Sequence, residues 1–406
     1  MAFNKPHAGR ELLFRRDFEH ASPPQIPLAF NGGRRTRQSV LSIWHTAQVI
    51  LSEQIWFGDV VIVGAGPAGS AAASILSREG KQVSIVSDSR RHSWAGETLP
   101  PGSSELVSNI FGNVLHDGHL RAYATRAAWE TVELHETDAL ANPLSAGWLL
   151  DRARFDRDTQ NAVTQSGALV LEGHARWTRQ SDGTWQVKCG DVLLNAPFLI
   201  DATGRTSAIA RRMGARRIEL RRMLACIRFM RDSGDSTQAT TIESVDEGWW
   251  YSTPIPGGGR VFALISDADL VPRGESREIW WDEAFAASSH ISWLLPQQKG
   301  SPLRNAPIVV SPAGTGWLDT FCGDGWASVG DSAAHCDPLS SQGLLTGILM
   351  GARLGHAFVE NNLTDWERDY HMLIEEHVTL SKHYYGLVDR HPLSTFWQRR
   401  MIVGGN

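Results

Sequence analysis

Asp59-Val-Val-Ile-Val63, running directly into Gly64-Ala-Gly66-Pro-Ala-Gly69, decides the fold. The first five residues form a short apolar, β-branched run, the pattern of a strand buried on both faces of a parallel sheet. A glycine turn follows at once, then an Ala-rich helical stretch from Ser70 to Ser77 and a second strand, Gln82-Val-Ser-Ile-Val86. A lone GxGxxG is a weak signal, but a strand–turn–helix–strand unit around it reads as a dinucleotide-binding fingerprint. Gly64 makes the tight turn and Gly66 lets backbone approach a pyrophosphate. Gly69 lets helix and strand pack closely, while Pro67 and Ala68 open the helix whose amides face the phosphate. The acidic residue expected at the end of the second strand falls at Ser87 or at Asp88, and either could bond a ribose hydroxyl.

Outward from this unit, composition narrows the possibilities. The chain has 406 residues, 42% hydrophobic and 20% charged, which is ordinary globular composition. The length allows two or three folding units. A net charge of −5 offers no basic surplus for nucleic acid or an anionic membrane. The four cysteines, Cys189, Cys226, Cys322 and Cys336, show no CxxC spacing, so no metal site and no disulfide framework is expected, and a reducing cytoplasm is the default location. No apolar run reaches the ~18 residues that would span a bilayer. Residues 1–57 read as a poorly ordered extension without a clean signal-peptide core. Tryptophan is abundant, 16 against 5 tyrosines.

Four further landmarks follow in order. Gly96-Glu97-Thr98-Leu99-Pro100-Pro101 comes after the second strand, and Asp151-Arg152-Ala-Arg154-Phe155-Asp156 opens a helical segment. Phe198-Leu-Ile-Asp201-Ala-Thr-Gly204-Arg205 ends a strand in a turn. Trp326-Ala-Ser-Val-Gly330-Asp331 runs through His335-Cys336-Asp337-Pro338 to Gly343 and a helix. With the first glycine turn, these motifs resemble the FAD monooxygenases and the FAD-dependent tryptophan halogenases that share their architecture, from about Gly58 to about Arg390. The Gly-Glu-Thr-Leu-Pro-Pro box and Gly248-Trp249-Trp250-Tyr251-Ser-Thr-Pro-Ile-Pro256 place the resemblance on the halogenase-like branch. Together with Ala124-Thr-Arg126-Ala-Ala-Trp129 they are similar to the flavoproteins that mature tryptophylquinone cofactors by hydroxylating a peptidyl tryptophan.

That resemblance implies FAD as cofactor, with Asp331 on the ribityl or pyrophosphate region and Arg152 on the phosphate side. It implies that Gly204 approaches the flavin and that the segment Pro338 to Gly343 lies over the isoalloxazine ring. Asp331 could equally cap a helix, Arg152 could equally make a plain ion pair, and Asp201 could equally cap its own turn. Glu97, Trp249 and Trp250 are the candidate catalytic or flavin-proximal residues. Glu97 could instead only fix its loop, and strand alternation turns Trp250 away from Trp249 and Tyr251. His335 reads as a loop histidine bonded to backbone. Gly343, Gly347, Gly351 and Gly355 share one helix face, which suggests close packing on the Ala-rich first helix. The implied reaction is oxygen transfer from a flavin C4a-hydroperoxide to an electron-rich aromatic substrate, a small molecule or a peptide or protein. Halogenation, flavin-dependent reduction and a non-catalytic assembly role are the alternatives. Gly257-Gly-Gly259 reads as a hairpin turn, so NAD(P)H acts transiently or a separate flavin reductase supplies electrons.

The expected architecture is α/β. A Rossmann-type FAD-binding domain spans 58–210 and 320–360, a mixed β-sheet substrate domain spans 211–319, and C-terminal helices occupy 361–406. Ser276–Ser289 reads as a helix of the middle domain.

Overall fold

The computed structural model describes residues 54–88, 96–138, 146–230, 238–295 and 306–401. The extension at 1–53 lies outside these residues. Gln54–Phe57 is a strand paired in parallel with Val192–Ala196, so the last four residues of the expected extension belong to the fold.

The β-branched run folds as read. Val60–Val63 is fully buried and sits centrally in a six-stranded sheet, flanked by Phe198–Asp201 and Val83–Ser87. Leu169–Glu172 and Trp326–Ser328 extend it on either side in parallel, and only Cys322–Gly323 runs antiparallel. A parallel sheet of this kind needs helices on its faces. The helix Pro67–Arg78 supplies one, and the helix Gly343–Val359 packs upon it. The glycine stripe explains the closeness. A Cβ added at Gly351 would lie 2.2 Å from the Ala68 carbonyl oxygen, and one at Gly355 would lie 2.8 Å from Ile75. At Gly347 the nearest atom would be 3.7 Å away, an ordinary contact. Two substitutions on one stripe should therefore differ in sign. Gly351→Ala should cost about 1–3 kcal/mol through forced helix separation. Gly347→Ala should be neutral or gain up to roughly 1 kcal/mol of helix propensity. Denaturant unfolding of the two variants without added flavin checks this.

A seven-stranded mixed sheet carries the second half of the fold, in the order Val309–Pro312, Met223–Met230, Arg260–Asp267, Gly248–Pro254, Ala239–Val245, Ala124–Ala128 and His135–Asp138. Its last two strands come from the stretch that sequence reading set in the cofactor domain. Ala124–Ala128 pairs in parallel with Ala239–Val245, a long-range match that no local pattern announces. The glycine hairpin is present: Gly248–Pro254 and Arg260–Asp267 pair antiparallel, and Ile255 N–H donates to the Gly259 carbonyl at 3.2 Å. Helix Glu275–Ala287 covers one face of this sheet, with Trp281 buried against Trp250. The long helix Leu363–Gly386 and the short helix Thr395–Met401 follow near the C-terminus. Among the described residues no helix is long and apolar enough to cross a membrane.

Candidate functional site

A cavity of about 430 Å³ opens where the first glycine turn faces the seven-stranded sheet. Its wall brings together eleven of the fourteen residues expected from sequence. Gly66, Pro67, Ala68 and Gly69 come from the first turn, and Gly204 from the turn after Asp201. Glu97 and Arg152 form one side, Asp331, Pro338 and Gly343 the other, and Trp249 closes the end.

The glycines divide by what they touch. A Cβ at Gly64, where φ is +113°, would meet the Ala202 carbonyl oxygen at 2.1 Å, and one at Gly69 would meet the Gly64 carbonyl oxygen at the same distance. These two are glycine because the fold is tight there. Gly66, Gly204 and Gly343 line the cavity, and an added Cβ at each meets no protein atom within 4 Å. Their missing side chains leave a cradle with room for a ligand. Gly66 is the N-cap of its helix and no side chain caps that end, so the first amides face the cradle as uncapped donors. A pyrophosphate fits this donor set.

Arg152 is held on two sides: its Nε donates to Asp156 at 2.8 Å and its Nη1 to Glu97. Sequence reading left Arg152 open between a cofactor contact and an ion pair; it makes the ion pair and lines the cavity as well. Burial pushes the Glu97 carboxyl above the usual carboxylate range, with Arg152 opposing. The Gly-Glu-Thr loop is pinned from above, because Tyr251 Oη donates to the Gly96 carbonyl at 2.9 Å. That hydroxyl is pushed up to about 12 by burial and so remains a donor.

Three expected residues do not reach the cavity wall. Gly64 is behind it. Asp88 lies beside His174, 3.7 Å away, beyond the strand end. Trp250 is the clearest correction. Strand alternation turns it to the opposite face of the sheet, where it stands 4.9 Å from Trp281 in an apolar core and cannot act as a pocket residue. Asp201 is also settled as a cap. One oxygen accepts from Thr203 N–H, and the other from the amides of Ile209 and Ala210 at 2.9 and 2.8 Å. His335 bonds backbone as read, with Nδ1 2.8 Å from the Gly314 carbonyl oxygen.

Sequence reading missed Arg205 and Asp337 as wall residues, although both stand inside motifs it quoted. Arg205 Nε donates to Asp331 at 3.2 Å. Asp337 is buried, and its carboxylate accepts from Leu339 N–H at 2.9 Å. Among the described residues one group, His116, His119 and Asp158, has metal-ligand spacing. All four ring nitrogens already have protein partners: Asp158 and Gly118 for His116, Val114 and Asp151 for His119. The group reads as a closed hydrogen-bond set.

Comparison with known proteins agrees with the cradle. Residues 59–218 match the model of the family described as FAD dependent oxidoreductase. LodB of Marinomonas mediterranea, described as an FAD-dependent oxidoreductase, is 25% identical over 362 residues, covering 84% of this chain and 96% of LodB. Among solved structures, the peptidyl tryptophan dihydroxylase QhpG, described as essential for tryptophylquinone cofactor biogenesis, superposes with a TM-score of 0.71 at 23% identity, over 85% of this chain and 78% of that one. The myxobacterial chondrochloren halogenase CndH superposes with a TM-score of 0.74 at 16% identity, over 85% and 86%. The fold is the one shared with these solved structures, and the segment that carries the cradle lies within residues 59–218, the part that matches a family described as FAD dependent.

Proposed function

We propose that this FAD-dependent oxidoreductase is a monooxygenase that hydroxylates an electron-rich aromatic ring, and that the ring is a tryptophan side chain carried by a peptide or protein. One observation carries the reading. The cavity joins a phosphate cradle at Gly66–Gly69 to an apolar wall of Ala225, Ile227, Trp249, Ala263 and Ile265, with no lysine among the described residues that line it.

The cradle amides and the helix beginning at Pro67 would hold the pyrophosphate, and Asp331 the ribityl hydroxyls. Asp331 has acceptor capacity left beside its Arg205 contact, and such charge-assisted bonds are strong. The turn from Pro338 to Gly343 would lie along the ring. When bound and reduced, FAD supplies the oxygen activation, and the chain's own part is placement and dryness. Trp249 is fully buried and presents a rigid aromatic surface to the cavity, against which a planar substrate can be oriented. Glu97, ion-paired with Arg152, stands at the cavity edge, where burial raises its carboxyl and the guanidinium opposes that rise. Only one glycine fingerprint of the dinucleotide type occurs in the sequence, which favours transient NAD(P)H or a separate flavin reductase as electron source. QhpG acts on peptidyl tryptophan by its description, and this supports a protein-borne substrate.

The test loads the full chain with FAD, reduces it anaerobically, and admits oxygen with either free tryptophan or a tryptophan-containing peptide. Mass gain by one or two oxygen atoms on the peptide, with little on free tryptophan, is the expected result. Rapid turnover of free tryptophan would refute the protein-borne substrate, and no oxygen incorporation into any aromatic would refute the hydroxylase.

A further inference from the structure

Trp249 does not sit on the cavity wall unaided. Its Nε1–H donates to Tyr385 Oη at 3.0 Å, and Tyr385 Oη–H donates to Asp337 Oδ2 at 2.7 Å. The other Asp337 oxygen accepts from Leu339 N–H at 2.9 Å, and Asp337 N–H donates to Thr315 Oγ1 at 3.0 Å. The chain thus ties three distant parts of the fold: the strand Gly248–Pro254, the turn that leads to Gly343, and the far end of the long helix Leu363–Gly386. Both of its ends, Trp249 and Asp337, line the cavity, while Tyr385 stands behind them, fully buried.

We infer that Tyr385 is a positioning residue, whose hydroxyl fixes the Trp249 indole and the Asp337 carboxylate on opposite parts of the cavity wall. The direction of the bonds is forced. An indole nitrogen can only donate and a carboxylate can only accept, so a hydroxyl is the one simple group that satisfies both. The hydroxyl stays protonated, since burial first and the Asp337 carboxylate second push it well above a free tyrosine. Its ring is packed independently of the hydroxyl. Trp129 and Trp397 lie 6.0 Å away centroid to centroid, and the Arg400 and Arg221 guanidiniums lie 4.8 and 5.4 Å from its centre. Removing the hydroxyl alone therefore leaves the packing in place while orphaning a buried donor and half a buried acceptor.

The inference rests on the flavin reading of the cavity, and its test keeps the two apart. The full chain carrying Tyr385→Phe is loaded with FAD, and two readouts are compared with the wild type: the visible circular dichroism of the bound flavin, and amide hydrogen exchange at residues 336–343 and at 60–63. Expected are an altered flavin band and exchange more than tenfold faster at 336–343, with 60–63 unchanged. A merely structural loss of stability would speed both segments together and leave the flavin band alone. Wild-type dichroism and wild-type exchange in a flavin-loaded Tyr385→Phe protein would overturn the inference. If that variant does not fold, Trp249→Phe and Asp337→Asn take its place. Each should move the flavin band the same way, and the double variant no further than the larger single one, because both break one chain. Additive shifts would overturn it. Failure of the wild type to take up FAD would instead remove the cofactor reading itself.

Discussion

A Gly66→Val protein is expected to fold as the wild type does and to be purified without FAD. The two halves of that result come from the same residue. Gly66 has φ −74° and ψ 176°, extended backbone that a β-branched residue adopts readily. A Cβ there meets no protein atom within 4 Å, so nothing in the apoprotein resists the valine. The direct cost is that of a poorer N-cap, a few tenths of a kcal/mol to about 1 kcal/mol. Yet Gly66 lines the cavity, and the two added methyl groups occupy the space in which backbone amides would meet the pyrophosphate. Affinity for FAD should fall by on the order of 100-fold or more, equivalent to about 2.8 kcal/mol. Gly64→Val is the contrasting control. Its Cβ would lie 2.1 Å from the Ala202 carbonyl oxygen at a φ that valine avoids, so that protein should be destabilised before any ligand is considered. Flavin titration by fluorescence, alongside thermal melting of both apoproteins, separates the cases. A folded Gly66→Val protein with a normal flavin spectrum would refute the placement of the pyrophosphate.

How much of this site could be read from the chain follows from how each part is built. The cofactor half is local. Gly64 to Gly69, Asp331, and Pro338 to Gly343 each lie within a few residues of a strand end, where turn chemistry and helix starts leave a signature in the letters. Alternation along Gly248–Pro254 likewise separates Trp249 from Trp250. It does not say which face carries helix Glu275–Ala287, and that helix is what makes Trp250 a core residue instead of a wall. Ser87 and Asp88 could not be told apart as ribose contacts, since a one-residue shift at a strand end reverses which side chain faces the crevice. Neither lies on the wall of the cavity. The long-range parts left no trace at all. Tyr385 is 136 residues from Trp249 and 48 from Asp337, and tyrosine on a helix carries no pattern that names its partner. The insertion of Ala124–Ala128 beside Ala239–Val245 is of the same kind: parallel pairing between remote segments is set by packing of the whole sheet, not by either strand.

Supplying chloride or bromide to the reduced, FAD-loaded protein under oxygen should yield hydroxylated and not halogenated aromatic product. The resemblance to halogenases implies that halogenation would need a lysine in the substrate cavity, whose ammonium captures the hypohalous acid released at the flavin. This chain has five lysines, Lys5, Lys81, Lys188, Lys299 and Lys382. Lys81 stands over the Phe358 ring at 6.0 Å, Lys188 is exposed on the strand Trp185–Cys189, and Lys382 is exposed on the long helix. Lys5 and Lys299 lie outside the described residues, and no lysine is among those that line the cavity. By that resemblance the halogenase lysine would fall in the stretch Ala124 to Trp129, some thirty residues beyond the Gly-Glu-Thr box, and that stretch carries Arg126 instead. Arg126 is committed elsewhere, donating through Nε to Glu136 on the neighbouring strand at 2.6 Å, and it is not part of the wall. The cations that do line the cavity, Arg152 and Arg205, face carboxylates on the cofactor side. A guanidinium also stays protonated at any working pH and cannot capture the electrophile as an amine does. Direct oxygen transfer asks for no such group, only a dry wall and an oriented ring, and Trp249 with its apolar neighbours provides that. Product masses from parallel reactions with and without halide decide the matter. Halogenated product forming as fast as hydroxylated product would overturn the hydroxylase reading, and its loss on Lys299→Met or Lys382→Met would identify which lysine had reached the cavity.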